Sequence, residues 1–334
     1  MIKKLKSIYT DLIGPIKPAK VISALFPFLK TYPDVIEIEI TNFCNLHCIM
    51  CGSNYMKRKR GFISFGFYKK IIDDVSGKVK SVSLYSTGEP LLHKKLPEMI
   101  RYAKSRGIRE VAISTNAMLL TEEIARKLIS AGLDTMQVSV EGSTRKEYEM
   151  IRKGADFFKV RKNIRNFLSI RGKGKKPRIM INLLIHKDTN LTQFARTWRD
   201  FCDEIIVSEM QPITFFDEKT GRIVPVIPVG IGLCLKSKRI VGCNMPFVMA
   251  VVGYDGKVGM CCADFDLSLS MGDAKKESII KIFNNSKYET ARRNFLFKKF
   301  AGTQCEGCPS LYAGKDRNLI LKSQEKIDGL MRNI

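Results

Sequence analysis

The segment Thr41-Asn42-Phe43-Cys44-Asn45-Leu46-His47-Cys48-Ile49-Met50-Cys51-Gly52 carries three thiols on one short stretch. Three soft sulfur donors so close together can converge on one metal centre, and a set of three leaves a coordination position open for a bound molecule. A structural zinc site wants a fourth ligand nearby, and His47, adjoining Cys48, is hard to aim at the same ion. The spacing therefore favours iron-sulfur chemistry over zinc. The chain holds 10 cysteines in all. They fall in groups rather than as an even disulfide framework, and grouped cysteines in a reducing compartment point to metal or catalysis.

The elements that must position this loop follow from hydrophobic periodicity. Val35 to Ile40 alternates as a strand, and Ser64 is the N-cap expected for a helix through Val75. Strand and helix then alternate: Val79–Tyr85, Lys95–Arg106, Glu110–Ser114, Glu122–Ala131 capped by Thr121, Thr135–Val140, Phe157–Ile170, Ile179–Ile185, Thr192–Phe201 and Glu204–Ser208. Six strand-then-helix units argue for a parallel α/β sheet with right-handed crossovers, here expected to be barrel-like. The cysteine loop then sits at the C-terminal edge of the first strand, where barrel active sites are built.

Prolines and glycines mark residues 211–240 as a connecting segment. Beyond them, Phe247–Tyr254, a two-residue Asp255-Gly256 turn and Lys257–Cys262 predict a hairpin, followed by one helix over Ser278–Phe300. The organisation expected is an amphipathic arm (1–34), a core (35–210), the connector (211–240), a small α+β region (241–312) and a helical tail (313–334).

Of the 334 residues, 57 are Lys or Arg and 33 Asp or Glu, a formal charge of +24 that points to anionic partners. No secretory signal or membrane-length apolar run is read from the sequence, and the location expected is cytoplasmic. The arm is expected to rest on the barrel, with peripheral membrane contact as its alternative use.

Cys-x3-Cys-x2-Cys at the end of a first barrel strand resembles the signature of the radical S-adenosylmethionine enzymes. That resemblance implies a partial (β/α)6 TIM-like barrel. It also implies a [4Fe-4S] cluster on Cys44, Cys48 and Cys51, whose open iron binds S-adenosylmethionine for reductive cleavage to a 5′-deoxyadenosyl radical. Met50 occupies the position beside the adenine. Ser86-Thr87-Gly88-Glu89-Pro90 is similar to the family's Gly-Gly-Glu-Pro, with Thr87 in place of the first glycine, Gly88 allowing close approach of the ligand and Glu89 accepting from the methionine ammonium. Asn116 matches a Thr-Asn-Gly motif. Ser139 and Glu141 are placed to meet ribose hydroxyls or the methionine carboxylate, and Arg152 to pair with that carboxylate.

The C-terminal region resembles a shortened SPASM, or twitch, extension. It implies a second, auxiliary [4Fe-4S] cluster on Cys243, Cys261, Cys305 and Cys308 in the small C-terminal iron-sulfur domain, with Cys262 as the rival of Cys261; spacing alone leaves zinc and iron-sulfur open at this site. Cys202, Cys234 and Cys262 are candidate hydrogen-atom donors to a substrate radical, although unassigned cysteines are more often small buried apolar residues. His93 and His186 are read as satisfying local hydrogen bonds.

The function expected is abstraction of a hydrogen atom from an unactivated carbon of a sugar-like, cyclitol, peptide or other small substrate, leading to oxidation, epimerisation or bond formation. The basic charge would attract an anionic substrate, using Lys57-Arg58-Lys59-Arg60, or an acidic reductant such as a flavodoxin or ferredoxin. The contrasting reading is a zinc-containing nucleic-acid binding protein, but no recognised nucleic-acid motif supports it.

Overall fold

The computed structural model describes residues 31–185, 189–209, 213–217, 222–226, 239–240, 243–300, 305, 312–313 and 316–332. Most of the N-terminal arm and of the connecting segment, and with them Cys234, Cys308 and His186, lie outside the described residues.

Six parallel strands form the core: β1 (Val35–Ile38), β2 (Ser81–Ser83), β3 (Glu110–Thr115), β4 (Thr135–Ser139), β5 (Arg178–Ile185) and β6 (Glu204–Glu209). The helices between them are α1 (Phe65–Val75), α2 (Leu96–Ser105), α3 (Glu122–Ser130), α4 (Arg145–Ile151), α5 (Phe157–Arg171) and α6 (Leu191–Trp198). Strand order follows chain order, the mark of right-handed βαβ units and of an open, partial TIM-like barrel. Ser64 caps α1 through the Phe67 amide and Thr121 caps α3 through the Ile124 amide, both as the sequence predicts.

Alternation divides the sheet into two faces. Ile36, Ile38, Val82, Leu84, Val111, Ile113, Val138 and Ile181 are buried in one hydrophobic cluster with the helices, centred on Tyr68, Tyr148, Phe167 and Trp198. The opposite, inner face is mixed, with polar side chains set among Ala112, Met180, Leu184 and Ile206. Glu37 is in register with Ser83, Ser114 with Gln137, Ser139 with Asn182, and Leu184 with Ser208. An outer face of branched hydrophobics holds the barrel together and leaves the inner face free for chemistry.

A hairpin β7 (Ile213–Asp217) and β8 (Arg222–Val226) follows the core, then the short strand β9 (Arg239–Ile240) and helix α7 (Met245–Val248). The C-terminal hairpin, β10 (Met249–Val252) and β11 (Lys257–Gly259), does not stand apart from the core. β10 runs parallel to β1, in register from Val35 with Met249 to Ile38 with Val252, and β11 and β12 (Gly272–Asp273) extend the sheet to nine strands. The connection between β10 and β11 is Gly253–Gly256 rather than a two-residue turn, closed by a bond from the Gly256 amide to the Gly253 carbonyl.

The single helix expected over Ser278–Phe300 is two, α8 (Ile279–Phe283) and α9 (Ser286–Leu296). Asn284 ends the first and the Asn285 side chain caps the second through the Tyr288 amide, so a local side-chain bond outcompetes continuation. A short strand β13 (Tyr312–Ala313) pairs with β9, and the last helix, α10 (Asp316–Arg332), covers the barrel edge. There the Gln324 amide bonds the Val207 N–H (2.7 Å) and the Ile205 carbonyl (2.9 Å), satisfying part of the outer side of β6. Among the described residues, no helix is long and apolar enough to cross a membrane.

Candidate radical site

Cys44, Cys48 and Cys51 lie on the loop leaving β1. The loop is pinned from outside: the His47 amide donates to the Lys153 carbonyl and the Ile49 amide to the Ile151 carbonyl, both at 3.0 Å, so it runs along the end of α4. Its own turn is closed by the Cys51 amide on the Cys48 carbonyl at 3.0 Å, with Met50 half-buried between them. Burial raises the pKa of all three thiols, and each lies close enough to a neighbouring cysteine to raise it further. Metal binding must therefore displace their protons.

Two donors face these sulfurs. The Arg152 guanidinium, buried, lies 3.6 Å from Cys48 Sγ and works against the upward shift there. The Asn116 amide lies 4.0 Å from Cys44 Sγ and donates to Asn45 Oδ1 at 3.0 Å. Among the described residues, no three His, Cys, Asp or Glu side chains converge on a single-ion position. A mutually coupled set of three thiols, fed by a cation and an amide donor, is nevertheless chemically suited to an iron-sulfur cluster with one open iron.

The neighbouring strand ends clamp the loop. Glu89 is buried, and its carboxylate accepts from Thr115 Oγ1 (2.6 Å), the Leu91 amide (3.1 Å) and the Asn116 amide (2.8 Å), which ties β2 to β3. Burial raises its pKa, and these three bonds and Arg152 oppose the rise. The carboxylate expected to accept from the methionine ammonium is thus already held by protein donors. A Cβ on Gly88 would lie 2.4 Å from the Thr41 carbonyl oxygen and 2.6 Å from that of Phe43, so the close approach this glycine permits is to the cysteine loop itself. Buried Thr87 Oγ1 lies 3.5 Å from Arg58. Ser139 is half-buried at the end of β4.

Glu141 and Arg152, assigned from sequence to separate contacts with the bound molecule, form a buried ion pair with each other. Arg152 donates from Nε to Glu141 Oε2 and from Nη2 to Oε1 (2.7 Å). A bidentate pair of this kind is strong and directional.

Sequence reasoning missed a second clasp. Glu39, buried on the inner face, is held by two Arg58 donors, and Arg58 Nε also donates to the Phe265 carbonyl at 2.7 Å. Arg60 reaches the Asn42 carbonyl (2.5 Å) and Ser53, while the Lys57 and Arg58 amides donate to Asp266 Oδ1. The arginines of the basic run 57–60 are therefore structural rather than free to receive an anion. The available signal was Glu37 and Glu39 on one side of a strand whose other side is isoleucine.

In the C-terminal region Cys243, Cys261 and Cys305 are half-buried and rest against the same hydrophobic cluster. Cys261 follows β11 and its thiol is raised, first by a bond with Cys262 and then by burial. Cys262 is exposed. Cys202 lies before β6, at the end of the barrel opposite the cysteine loop; its Sγ is 3.6 Å from the Trp198 carbonyl and burial pushes it up to about 12. It is not brought to the site. His93 bonds the Ile63 carbonyl at 3.1 Å.

Residues 38–200 match the family model described as the Radical SAM superfamily, and residues 243–309 match SPASM, an iron-sulfur cluster-binding domain. The tungsten-containing aldehyde ferredoxin oxidoreductase cofactor-modifying protein of Pyrococcus furiosus is 24% identical over 315 residues, 82% of this chain and 86% of that protein. A probable GTP 3′,8-cyclase of Methanococcus maripaludis is 31% identical over 203 residues, covering 58% of this chain and 64% of the cyclase. Fe-coproporphyrin III synthase of Methanosarcina barkeri is 38% identical over 127 residues, 37% of this chain and 31% of the synthase.

Among solved structures, Streptococcus suis SuiB bound to precursor peptide SuiA superposes with a TM-score of 0.64 at 15% identity, over 83% of this chain and 70% of SuiB. BtrN in complex with AdoMet and 2-DOIA gives 0.53 at 21%, over 79% and 87%. These likenesses carry the fold. The matched models imply S-adenosylmethionine, a [4Fe-4S] cluster and auxiliary iron-sulfur binding, in keeping with the two cysteine groups. The chain belongs to the radical S-adenosylmethionine superfamily and carries a SPASM region.

Proposed function

We propose that this protein abstracts a hydrogen atom from a carbon of a small molecule or peptide bound inside the barrel, and that the substrate radical is resolved beside the auxiliary centre. The observation that carries this reading is the joining of β10 to β1, which attaches the Cys261 region directly to the strand that presents Cys44, Cys48 and Cys51.

In this reading Cys44, Cys48 and Cys51 hold the first cluster, and Cys243, Cys261, Cys305 and Cys308 the second. The 35–210 core supplies the radical site and residues 241–312 the auxiliary one. When bound, the first cluster supplies the electron that cleaves S-adenosylmethionine to a 5′-deoxyadenosyl radical. The protein's part is positional: Glu89 and Gly88 fix the loop against β2 and β3, Glu141 holds Arg152 over Cys48, and Asn116 faces Cys44. Met50, Thr87 and Ser139 line the approach of S-adenosylmethionine.

Oxidation of the substrate would pass its second electron to the auxiliary centre. Among the described residues, exposed Cys262 is the candidate thiol to return a hydrogen atom in an epimerisation, since Cys202 is remote. The net positive charge favours docking of an acidic reductant of the flavodoxin or ferredoxin kind in a reducing, cytoplasmic setting.

The test is anaerobic reconstitution with iron and sulfide, then addition of reductant and S-adenosylmethionine. Formation of 5′-deoxyadenosine, lost in Cys48→Ala, is the expected result. A chain that takes up zinc and forms no 5′-deoxyadenosine would defeat the reading.

A further inference from the structure

One buried acid is used by none of the contacts described above. Glu37 is 4% exposed, and its Oε1 is buried without a hydrogen-bond partner among the described residues. Ser86 lies near the same carboxylate, and among the described residues no ion pair reaches it. Leaving a buried acceptor unpaired is costly, so such a group marks a place where a partner is missing.

The surroundings say which kind of partner. Glu37 stands on the inner face of β1, in register with Ser83. Half-buried Tyr85 and Ser86 flank it, with Tyr85 close enough to feel both Glu37 and Cys262, and Glu37 close enough to feel Cys261. It thus lies on the strand that leads into the cysteine loop, on the side of Cys261. The other charges of this region are spent on one another, Glu39 with Arg58 and Glu141 with Arg152. Across the inner face, Asn182 and Ser208 are neutral and bonded to each other at 3.2 Å. Among the described residues, the inner face therefore offers hydroxyls and amides beside apolar Met180, Leu184 and Ile206, and Glu37 is the carboxylate there held by neither an arginine nor a set of hydrogen bonds.

We propose that the barrel interior takes an amine-bearing, hydroxyl-rich small molecule, seats its ammonium or a hydroxyl hydrogen on Glu37 Oε1, and disfavours anions. The proposal rests on the radical reading, because it places this group beside the site where hydrogen abstraction would occur. Burial of the acid without a cation supports it, since an ammonium would supply the missing charge. The expectation of an anionic substrate, drawn from net charge, is replaced by its opposite: charge counted over the surface does not describe the interior.

The test uses the full chain, reconstituted with iron and sulfide, with S-adenosylmethionine bound. Calorimetric titrations compare three probes on one ring: glucosamine, glucose and glucuronate. Glucosamine is expected to bind at least about tenfold more tightly than glucuronate, with glucose between them. In Glu37→Gln, which keeps the shape and removes the charge, that preference should collapse while S-adenosylmethionine affinity is unchanged. Tyr85→Phe should retain the order of the three. Should the Gln variant fail to fold, the order in the wild type and in Tyr85→Phe decides. No glucosamine binding, glucuronate binding as tight as glucosamine, or an unchanged preference in Glu37→Gln overturns the proposal. Failure of the wild type to bind S-adenosylmethionine overturns instead the radical reading beneath it.

Discussion

Four buried carboxylates, Glu37 within β1 and Glu39, Glu89 and Glu141 beyond strand ends, meet three different fates. Glu39 and Glu141 are neutralised by arginines, Glu89 is held by three hydrogen bonds, and Glu37 Oε1 has no partner among the described residues. Burial raises Glu37 to about 7, with Cys261 and Glu39 adding to the shift and Ser86 opposing it. A folded-state pKa above the unfolded value means that the native protein binds more protons between the two. Stability is thus greatest at low pH on this account and falls as pH rises through about 7. The gap from the ordinary glutamate value of 4.5 amounts to about 3 kcal/mol. Glu37→Gln should therefore raise denaturant stability by up to that amount at pH 8, with little gain at pH 5. Equal gains at both pH values would contradict it. The sequence pointed to Glu89, Glu141 and Arg152 through motif resemblance, but not to whom each would bond. Side-chain partners from residues 11 or 26 positions away are set by how strand ends meet, which no local pattern encodes.

At the scale of elements, the sequence was legible where one periodicity and one cap decide the matter. Strand β3 and helices α1 and α3 lie within a residue of their expected bounds, because alternation and the Ser64 and Thr121 caps act locally. Helix α4 was overlooked although Thr144 and Glu147 form a capping box at its start. Gly88 shows where an element joins a site. Its Cβ position is filled by backbone atoms of the cysteine loop, which cannot swing aside as a side chain would. Gly88→Ala should cost about 1–3 kcal/mol by overpacking and displace the loop. The measurable outcome is a lower melting temperature together with lower iron content per chain after reconstitution. A variant with full iron content and unchanged melting would show that the loop tolerates the displacement.

For the whole molecule, the decisive contact is between the cysteine loop and the C-terminal region. Phe265 lies against Gly52 and Tyr254 against Gly61, each where a Cβ would otherwise stand, and Arg58 bridges Glu39 to the Phe265 carbonyl. Arg58→Met should destabilise the protein by about 3–5 kcal/mol, because it leaves Glu39 buried and unpaired. The double variant Arg58→Met/Glu39→Gln should recover much of that loss, and denaturant titration of the two distinguishes a charge effect from a packing one.

By itself, the sequence determined the order of strands and helices, the three-thiol loop at the end of β1 and the family to which the chain belongs. Those features rest on local periodicity, capping and spacing. Only the tertiary structure decided that β10 joins β1, that the arginines of a basic run are structural, and that, among the described residues, Glu37 Oε1 inside the barrel lacks a partner. These outcomes depend on which distant groups share a low-dielectric interior, where pairing and desolvation outweigh the net charge that composition reports.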